Sequence, residues 1–312
     1  MSTPIVSVVV PTHRRGALVL RAVRSALAQT WTDLEVVVVQ DGVDTATTAA
    51  LATVDDRRLR TIHLPEPQGG SGARNAGVSA ARAAWVAFLD DDDEWRPEKL
   101  AVQLDAARRL RDPYPIVACR LVARSPGGSY VWPRRTPRPG EPLSEYLLAR
   151  NSLFQGEGLV QTSTLLTRRD LLLRVPFRPG LPRHQEWDWL LRAAAISGSA
   201  VCVVPEALVI WHVEEARASI SRGHRWRQSV AWIRESRHLV TRRAYASFLL
   251  VVAGAGARQE GDWGALPALL REAVQLGRPA AMDYLLYAGM WLVPRNLRRW
   301  LRHALPLASG GT

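Results

Sequence analysis

The sequence predicts an α/β fold built on a mostly parallel, Rossmann-like sheet, and three observations predict it. Apolar, β-branched runs alternate with helically spaced segments over the first hundred positions; several of these runs stop at a polar or glycine-bearing loop; and the fourth is followed by four consecutive aspartates. A chain of 312 residues, 47% hydrophobic and 22% charged, can bury the core that such a sheet needs.

The elements follow in order. Residues 5–10 are an apolar run that stops at Pro11-Thr12, the pattern of a strand buried on both faces. Leu18, Leu20, Val23, Ala26 and Leu27 then recur at helical spacing, and residues 34–39 make a second buried strand ending at Gln40-Asp41-Gly42, which completes a βαβ unit. A helix over 46–54, a short strand over 59–64, a glycine-rich loop over 68–72, a helix over 73–83 and a strand over 85–89 lead to Asp90-Asp91-Asp92-Asp93. Ligands of parallel sheets bind beyond the carboxyl ends of the strands. Residues 11–14, 40–42 and 90–93 are therefore expected to share one crevice.

A helix over 100–111, strand-like residues 116–123, a Pro/Arg/Gly-rich stretch over 125–142 expected to be a mobile loop, strand-like 160–166, a helix over 187–195 and a strand over 201–204 make a second, acceptor-side half. Past residue 222 the pattern turns helical and basic. It ends in residues 291–302, where Arg and Trp interleave with Leu; that suits a helix lying in a membrane interface and equally a helical appendage packed on the core. The expected division is residues 1–100, residues 101–222 as a second half of the same fold, and residues 223–312 as a basic helical extension.

Composition narrows the function classes. Cys119 and Cys202 build neither a disulfide framework nor a zinc site, which fits a reducing cytoplasm. The first residues lack a signal-peptide pattern, and the longest apolar runs, 244–257 and 279–294, fall short of the roughly 18–20 residues that span a bilayer. The expected location is cytoplasmic, with at most peripheral contact on the inner face of the membrane. The net charge of +12 is almost entirely arginine, Lys99 being the only lysine; such a bias fits GC-rich coding better than a nucleic-acid partner, while anionic phosphates or lipid headgroups stay in play.

Four aspartates directly after a buried strand repel one another and lose water at the strand end. A divalent cation relieves that cost: hard Mn2+ or Mg2+ takes carboxylates together with diphosphate oxygens. The alternative is a solvated acidic loop or a cap for the helix that follows.

The stretch Phe88-Leu89-Asp90-Asp91-Asp92-Asp93-Glu94-Trp95-Arg96-Pro97-Glu98-Lys99-Leu100 resembles the DXD signature region of family 2 glycosyltransferases, which have the GT-A fold. The resemblance extends, in the family's order, to residues 6–12, 25–31, 35–42 and 72–77. It implies a metal-dependent, inverting transfer from a nucleotide-diphosphate sugar, UDP- or dTDP-linked, to an acceptor that is a glycan, a lipid-linked glycan, a peptide or a small molecule, with residues 1–100 binding the nucleotide sugar and 101–222 supplying the acceptor and catalytic half.

By that resemblance Asp41 hydrogen-bonds the base, and Thr12 lies on the loop that contacts the nucleotide, with Pro11, His13 and Arg14 beside it. Gly70 and Arg74 lie by the donor, where Arg74 balances diphosphate charge. Asp90 and Asp91 serve the nucleotide, and Asp92 is the first choice for direct metal ligation, with Asp90 as a second ligand; Asp93 is structural. Residues 185–192 are similar to the family's acidic catalytic motif, which gives Glu186 the role of base with Asp188 as the second candidate. His212 follows the last strand, where the family's histidine reaches the metal or diphosphate, and Ser219, Ser221 and Arg222 sit on a loop closing over the donor.

The chain departs from the family pattern at Gln40-Asp41-Gly42-Val43, where Asp-Asp-Gly-Ser is usual, and at Glu186, where aspartate is usual. Bland alternatives stand beside these roles: turn formation for Asp41, a helix-surface position for Arg74, helix capping for Glu186 and Asp188, packing for His212. Two rival functions remain. A sugar-1-phosphate nucleotidyltransferase would carry a glycine-rich first loop with a downstream Lys or Arg, which residues 11–15 do not match; a non-catalytic membrane- or nucleic-acid-binding module would use the aspartates for a structural cation only.

Overall fold

The computed structural model describes residues 3–125, 128–153, 156–213 and 226–293. Contacts divide the chain into two compact units, residues 1–147 with 156–221, and residues 148–155 with 222–312.

The first unit is a sheet whose strands are β1 (Val6–Thr12), β2 (Leu34–Asp41), β3 (Leu59–Leu64), β4 (Trp85–Phe88), β5 (Asp93–Trp95), β6 (Tyr114–Ser125), β7 (Gly128–Trp132), β8 (Leu166–Arg168) and β9 (Ser199–His212). Their order is β3-β2-β1-β4-β8-β6-β9-β5, with β7 paired to β6. The helices of this half of the chain are α1 (Gly16–Leu27), α2 (Thr45–Leu51), α3 (Gly69–Ala80), α4 (Lys99–Leu110), α5 (Leu143–Leu148), α6 (Arg169–Arg174) and α7 (Gln185–Ala194).

β1, β2, β3 and β4 are parallel, as their alternation with helices predicts. The valines of β1 and β2 have no exposed surface because helices cover both faces, which is why these strands read as unbroken apolar runs. α1 buries Val19, Ala22, Val23 and Ala26. α3 lies so close to β1 that a Cβ on Gly77 would run into Val9. β8 reverses direction, pairing antiparallel with both β4 and β6, so this part of the sheet is mixed.

The structure differs from expectation in five places, the first at the last strand: β9 runs over 199–212, past the expected end at 204, so His212 is its final residue and does not follow it. The glycine-rich residues 68–72 are not a loop: they open α3, four residues ahead of the expected start. Glycine inside a helix costs roughly 1 kcal/mol each; here the first turn is held by Asp41, which accepts hydrogen bonds from the backbone N–H groups of Gln68 and Gly69. In the stretch expected to be a mobile loop, Gly128–Trp132 forms a hairpin strand on β6, as its Tyr-Val-Trp run favours. Residues 160–166 are not one strand: Thr162–Thr164 is a 3-10 turn, and β8 follows. Asp93–Trp95 forms the short strand β5, antiparallel to β9, directly after the acidic turn.

The second unit contains α8 (Trp226–Glu235), α9 (Arg242–Ser247), a π-helical turn (Phe248–Ala253), α10 (Gly254–Glu260), α11 (Ala265–Leu276) and α12 (Ala281–Leu292). Trp232, Tyr245, Phe248, Leu249, Leu250, Leu269, Tyr287 and Trp291 are buried. Asp283 is fully buried, bonded to Arg243, to Ser247 Oγ and to the backbone N–H of Ala280. On α12 the exposed positions are Ala281, Tyr284, Leu285, Ala288 and Leu292, one apolar face at helical spacing. No helix among the described residues is long and apolar enough to cross a membrane. Most of the Arg/Trp-rich segment, residues 294–302, lies outside the described residues, as do Ser219, Ser221 and Arg222.

Candidate active site

β1 and β4 run side by side, and the acidic turn leaves β4 next to the loop that leaves β1. Asp91 is buried there. Its Oδ2 accepts from Thr12 Oγ1 at 2.8 Å and its Oδ1 from Arg15 Nη1 at 3.0 Å. The same Arg15 nitrogen donates to Asp92 Oδ2, also at 3.0 Å. Burial pushes the Asp91 carboxyl up to about 6; Arg15 opposes the rise and Asp92 adds to it. Arg21 reaches the same turn, donating to the Asp92 carbonyl at 2.9 Å and lying 3.4 Å from Glu94 Oε1.

Arg74, on α3, is almost fully buried. It donates to Asp90 Oδ1 at 2.7 Å and to Gln185 Oε1 at 2.8 Å, so one guanidinium ties the acidic turn to the start of α7. Burial disfavours its charge, yet Asp90, then Glu186, hold its pKa above the ordinary arginine value. A Cβ on Gly70 would lie 3.1 Å from Arg74 Nη1 and 3.2 Å from Gln185 Oε1, which places this glycine against the same pair.

The 3-10 turn Thr162–Thr164 is the second bridge. Ser163 Oγ donates to Asp93 Oδ2 at 2.6 Å and accepts from the Asp90 N–H at 3.0 Å, while Thr162 Oγ1 donates to Glu186 Oε1 at 2.8 Å. The turn is anchored from beneath. Trp95 Nε1 donates to the Ser163 carbonyl, and Gln103 Nε2 to the carbonyls of Thr164 and Val117. Lys99 Nζ sits 3.8 Å from the Trp95 ring centroid and donates to Gln103 Oε1 at 2.6 Å. Burial pulls the Lys99 ammonium down to about 8.

Glu186 and Asp188, two residues apart in the first turn of α7, have different surroundings. Glu186 is partly exposed. Asp188 is 0% exposed, with Arg178 at 2.8 Å from Oδ1 and Arg192 at 2.8 Å from Oδ2. Asp41 ends β2 with both carboxylate oxygens on the start of α3, and its carbonyl is 2.5 Å from His13 Nδ1. Pro11 is half-buried, while His13 and Arg14 are exposed. His212 Nε2 lies 2.7 Å from Glu94 Oε1, so the histidine engages the strand after the turn.

The structure thus brings Thr12, Arg74, Asp90, Asp91, Asp92 and Glu186 into one hydrogen-bonded cluster. Arg15, Arg21, Thr162, Ser163 and Gln185 belong with them and were not singled out from the sequence. A signal for the last group existed: Gln161-Thr162-Ser163-Thr164 puts four polar residues into a stretch read as a strand, and burying them there demands partners.

Mn2+ and Mg2+ commonly use one or two carboxylates, leaving the remaining positions to phosphate oxygens and water. Asp90 and Asp92 keep 22% and 16% of their side chains exposed, whereas Asp188 keeps none. The Arg15 guanidinium between Asp91 and Asp92 is a resident cation at this turn. Among the described residues no three His, Cys, Asp or Glu side chains converge into an all-protein cage. The donor set therefore fits a cation whose shell is completed by a phosphorylated ligand.

Comparisons with known proteins show the family and the fold of the chain. Residues 7–175 match the sequence model described as Glycosyl transferase family 2. The succinoglycan biosynthesis protein ExoO of Rhizobium meliloti (strain 1021) is 32% identical over 224 residues, 70% of this chain and 63% of that protein's length. The amylovoran biosynthesis glycosyltransferase AmsB of Erwinia amylovora is 26% identical over 243 residues, 76% of this chain and 79% of the relative. Among solved structures, TarS of S. aureus in complex with UDP-GlcNAc superposes with a TM-score of 0.63 at 18% identity, covering 96% of this chain and 87% of that one. The mannosyltransferase PcManGT of Pyrobaculum calidifontis, in complex with GDP-Man and Mn2+, gives a TM-score of 0.55 at 20% identity, covering 97% and 84%. The fold is of the GT-A type.

Proposed function

Since the chain belongs to glycosyl transferase family 2, we propose that it is an inverting glycosyltransferase moving a sugar from a nucleoside diphosphate to a hydroxyl of a glycan acceptor. The observation that carries this reading is Arg74, which donates to Asp90 and Gln185 at once and so ties the acidic turn to the start of α7, where Glu186 is partly exposed and accepts from the neutral Thr162 hydroxyl.

Glu186 is the base. It takes the acceptor hydroxyl's proton as that oxygen bonds to the anomeric carbon, and the bond from that carbon to the diphosphate oxygen breaks on the opposite side, its electron pair leaving with the nucleotide. Thr162 orients Glu186 through its hydroxyl. Asp188, enclosed by Arg178 and Arg192, fixes α7 instead of moving protons. Arg74 faces the leaving diphosphate. Asp92, with Asp90, would hold Mn2+ or Mg2+, which supplies positive charge against the departing diphosphate. His212 braces the turn through Glu94.

Each Asp41 oxygen accepts one backbone N–H and keeps a second lone pair, enough to receive the imide N–H of uracil or thymine. This favours a UDP- or dTDP-linked donor. The polysaccharide names of ExoO and AmsB favour a cell-envelope glycan as acceptor. The apolar face of α12, with thirteen arginines against five acidic residues over 223–312, favours peripheral contact with an anionic membrane on its cytoplasmic side.

Metal-dependent turnover of a panel of nucleotide sugars tests the main reading: release of UDP or dTDP from at least one donor with Mn2+, lost in Glu186→Gln, is expected. Turnover of a nucleoside triphosphate with a sugar phosphate, or function that survives Glu186→Gln, would overturn it.

A further inference from the structure

We propose that Arg15 is the resident counter-cation of the acidic turn, and that an incoming nucleoside diphosphate must draw it off before Asp92 is free for a divalent cation. The proposal rests on the donor-and-metal reading above and adds a coupling to it.

One Arg15 nitrogen stands 3.0 Å from Asp91 Oδ1 and 3.0 Å from Asp92 Oδ2, the bridging position between two carboxylates. A Mg2+–carboxylate bond of about 2.0–2.1 Å on the oxygens that face Arg15 would set a dication beside the guanidinium, and the repulsion of like charges opposes holding both there. A dication arriving alone would displace Arg15 and leave a guanidinium beside it with less negative charge to face. With a diphosphate present the outcome reverses. The planar guanidinium fork matches phosphate oxygens, so Arg15 gains a new anion, the carboxylates are released, and the same diphosphate offers oxygens to the cation.

Arg15 is placed for this exchange. It leads into α1 directly after Arg14, whose φ is +54°, and its side chain is 26% exposed, so it reaches the crevice from the rim. Arg74 is differently held: its side chain is 8% exposed and bonded to Gln185 as well as Asp90. Arg15 is the exchangeable cation and Arg74 the fixed one. By linkage, a diphosphate that tightens metal binding is itself tightened by metal through the same factor.

The test is Mn2+ binding followed by the paramagnetic signal of free Mn2+, for the full chain and for Arg15→Gln and Arg15→Lys, each with and without UDP and with thermal melts to verify folding. The parent chain is expected to bind Mn2+ weakly alone and more tightly with UDP. Arg15→Gln is expected to bind Mn2+ alone about tenfold more tightly than the parent, and to lose UDP-dependent tightening by a similar factor, within the ordinary range of coupling between sites. Arg15→Lys, which keeps the charge as a mobile point, is expected to fall between them; should Arg15→Gln fail to fold, this variant carries the comparison. Equal or weaker binding of Mn2+ alone by the variants, with UDP-dependent binding intact in the parent, overturns the counter-cation role and leaves the donor-and-metal reading standing. No Mn2+ bound by the parent in the presence of UDP overturns both.

Discussion

The acidic turn after β4 and the opening turn of α7 both set carboxylates against arginines, and they spend them differently. At α7, Asp188 has no exposed surface and a guanidinium on each oxygen. At the turn, Asp90 and Asp92 are paired and still keep a share of their surface open to the crevice. On the proposed reading, access rather than pairing separates a functional carboxylate from a structural one. Glu186 makes the same point from the other side: two residues from Asp188, it meets the neutral hydroxyl of Thr162 instead of an arginine clamp and stays partly exposed.

The largest expected effect removes the accessible carboxylate. Glu186→Gln should lower kcat by about 10²–10⁴, the usual worth of a general base, with UDP binding by calorimetry little changed. A loss of UDP binding on the same scale would break the comparison. Asp188→Asn should act on stability: leaving two arginines on a neutral partner costs about 3–5 kcal/mol when a buried pair is broken, seen as a lowered Tm. A variant that melts like the parent but has lost kcat would exchange the two roles.

The support beneath the acidic turn makes a pH test. Folded Lys99 titrates near 8 against 10.5 for an ordinary lysine, so between those values the unfolded chain carries the extra proton. Stability should then rise as pH goes from about 8 to 10.5, by up to about 3 kcal/mol at 1.36 kcal/mol per unit. Denaturant midpoints across that window check it, and Lys99→Met should flatten the rise. The smallest effect concerns the bridge between the two regions. Thr162→Val deletes one hydrogen bond worth about 1 kcal/mol, and a severalfold fall in kcat with unchanged UDP binding is the expected result; no change would separate Glu186 positioning from the 3-10 turn.

The sequence was most legible where structure is local. Residues 5–10 and 34–39 announce buried parallel strands because both faces are covered, and Asp90 to Asp93 stand out because like charges at a strand end demand explanation. Arg15 and Arg21 were not legible, since an arginine at the cap or in the middle of a helix looks the same whether it faces water or a turn some seventy residues later. Thr162–Thr164 was hidden by its apolar flanks, Val160, Leu165 and Leu166, which imitate a strand. β5 is set by pairing with β9, more than a hundred residues away, and no local propensity of Asp-Glu-Trp predicts it.

Lys99 carries one more consequence. The only lysine of the chain has no exposed surface, so apart from the α-amino group the folded protein offers acylating reagents no primary amine. An amine-directed label added to the native protein would mark this side chain only during openings of the core, at a rate that reports their frequency. The same burial makes coupling through side-chain amines, on a bead or a sensor surface, a route that selects for molecules already unfolded.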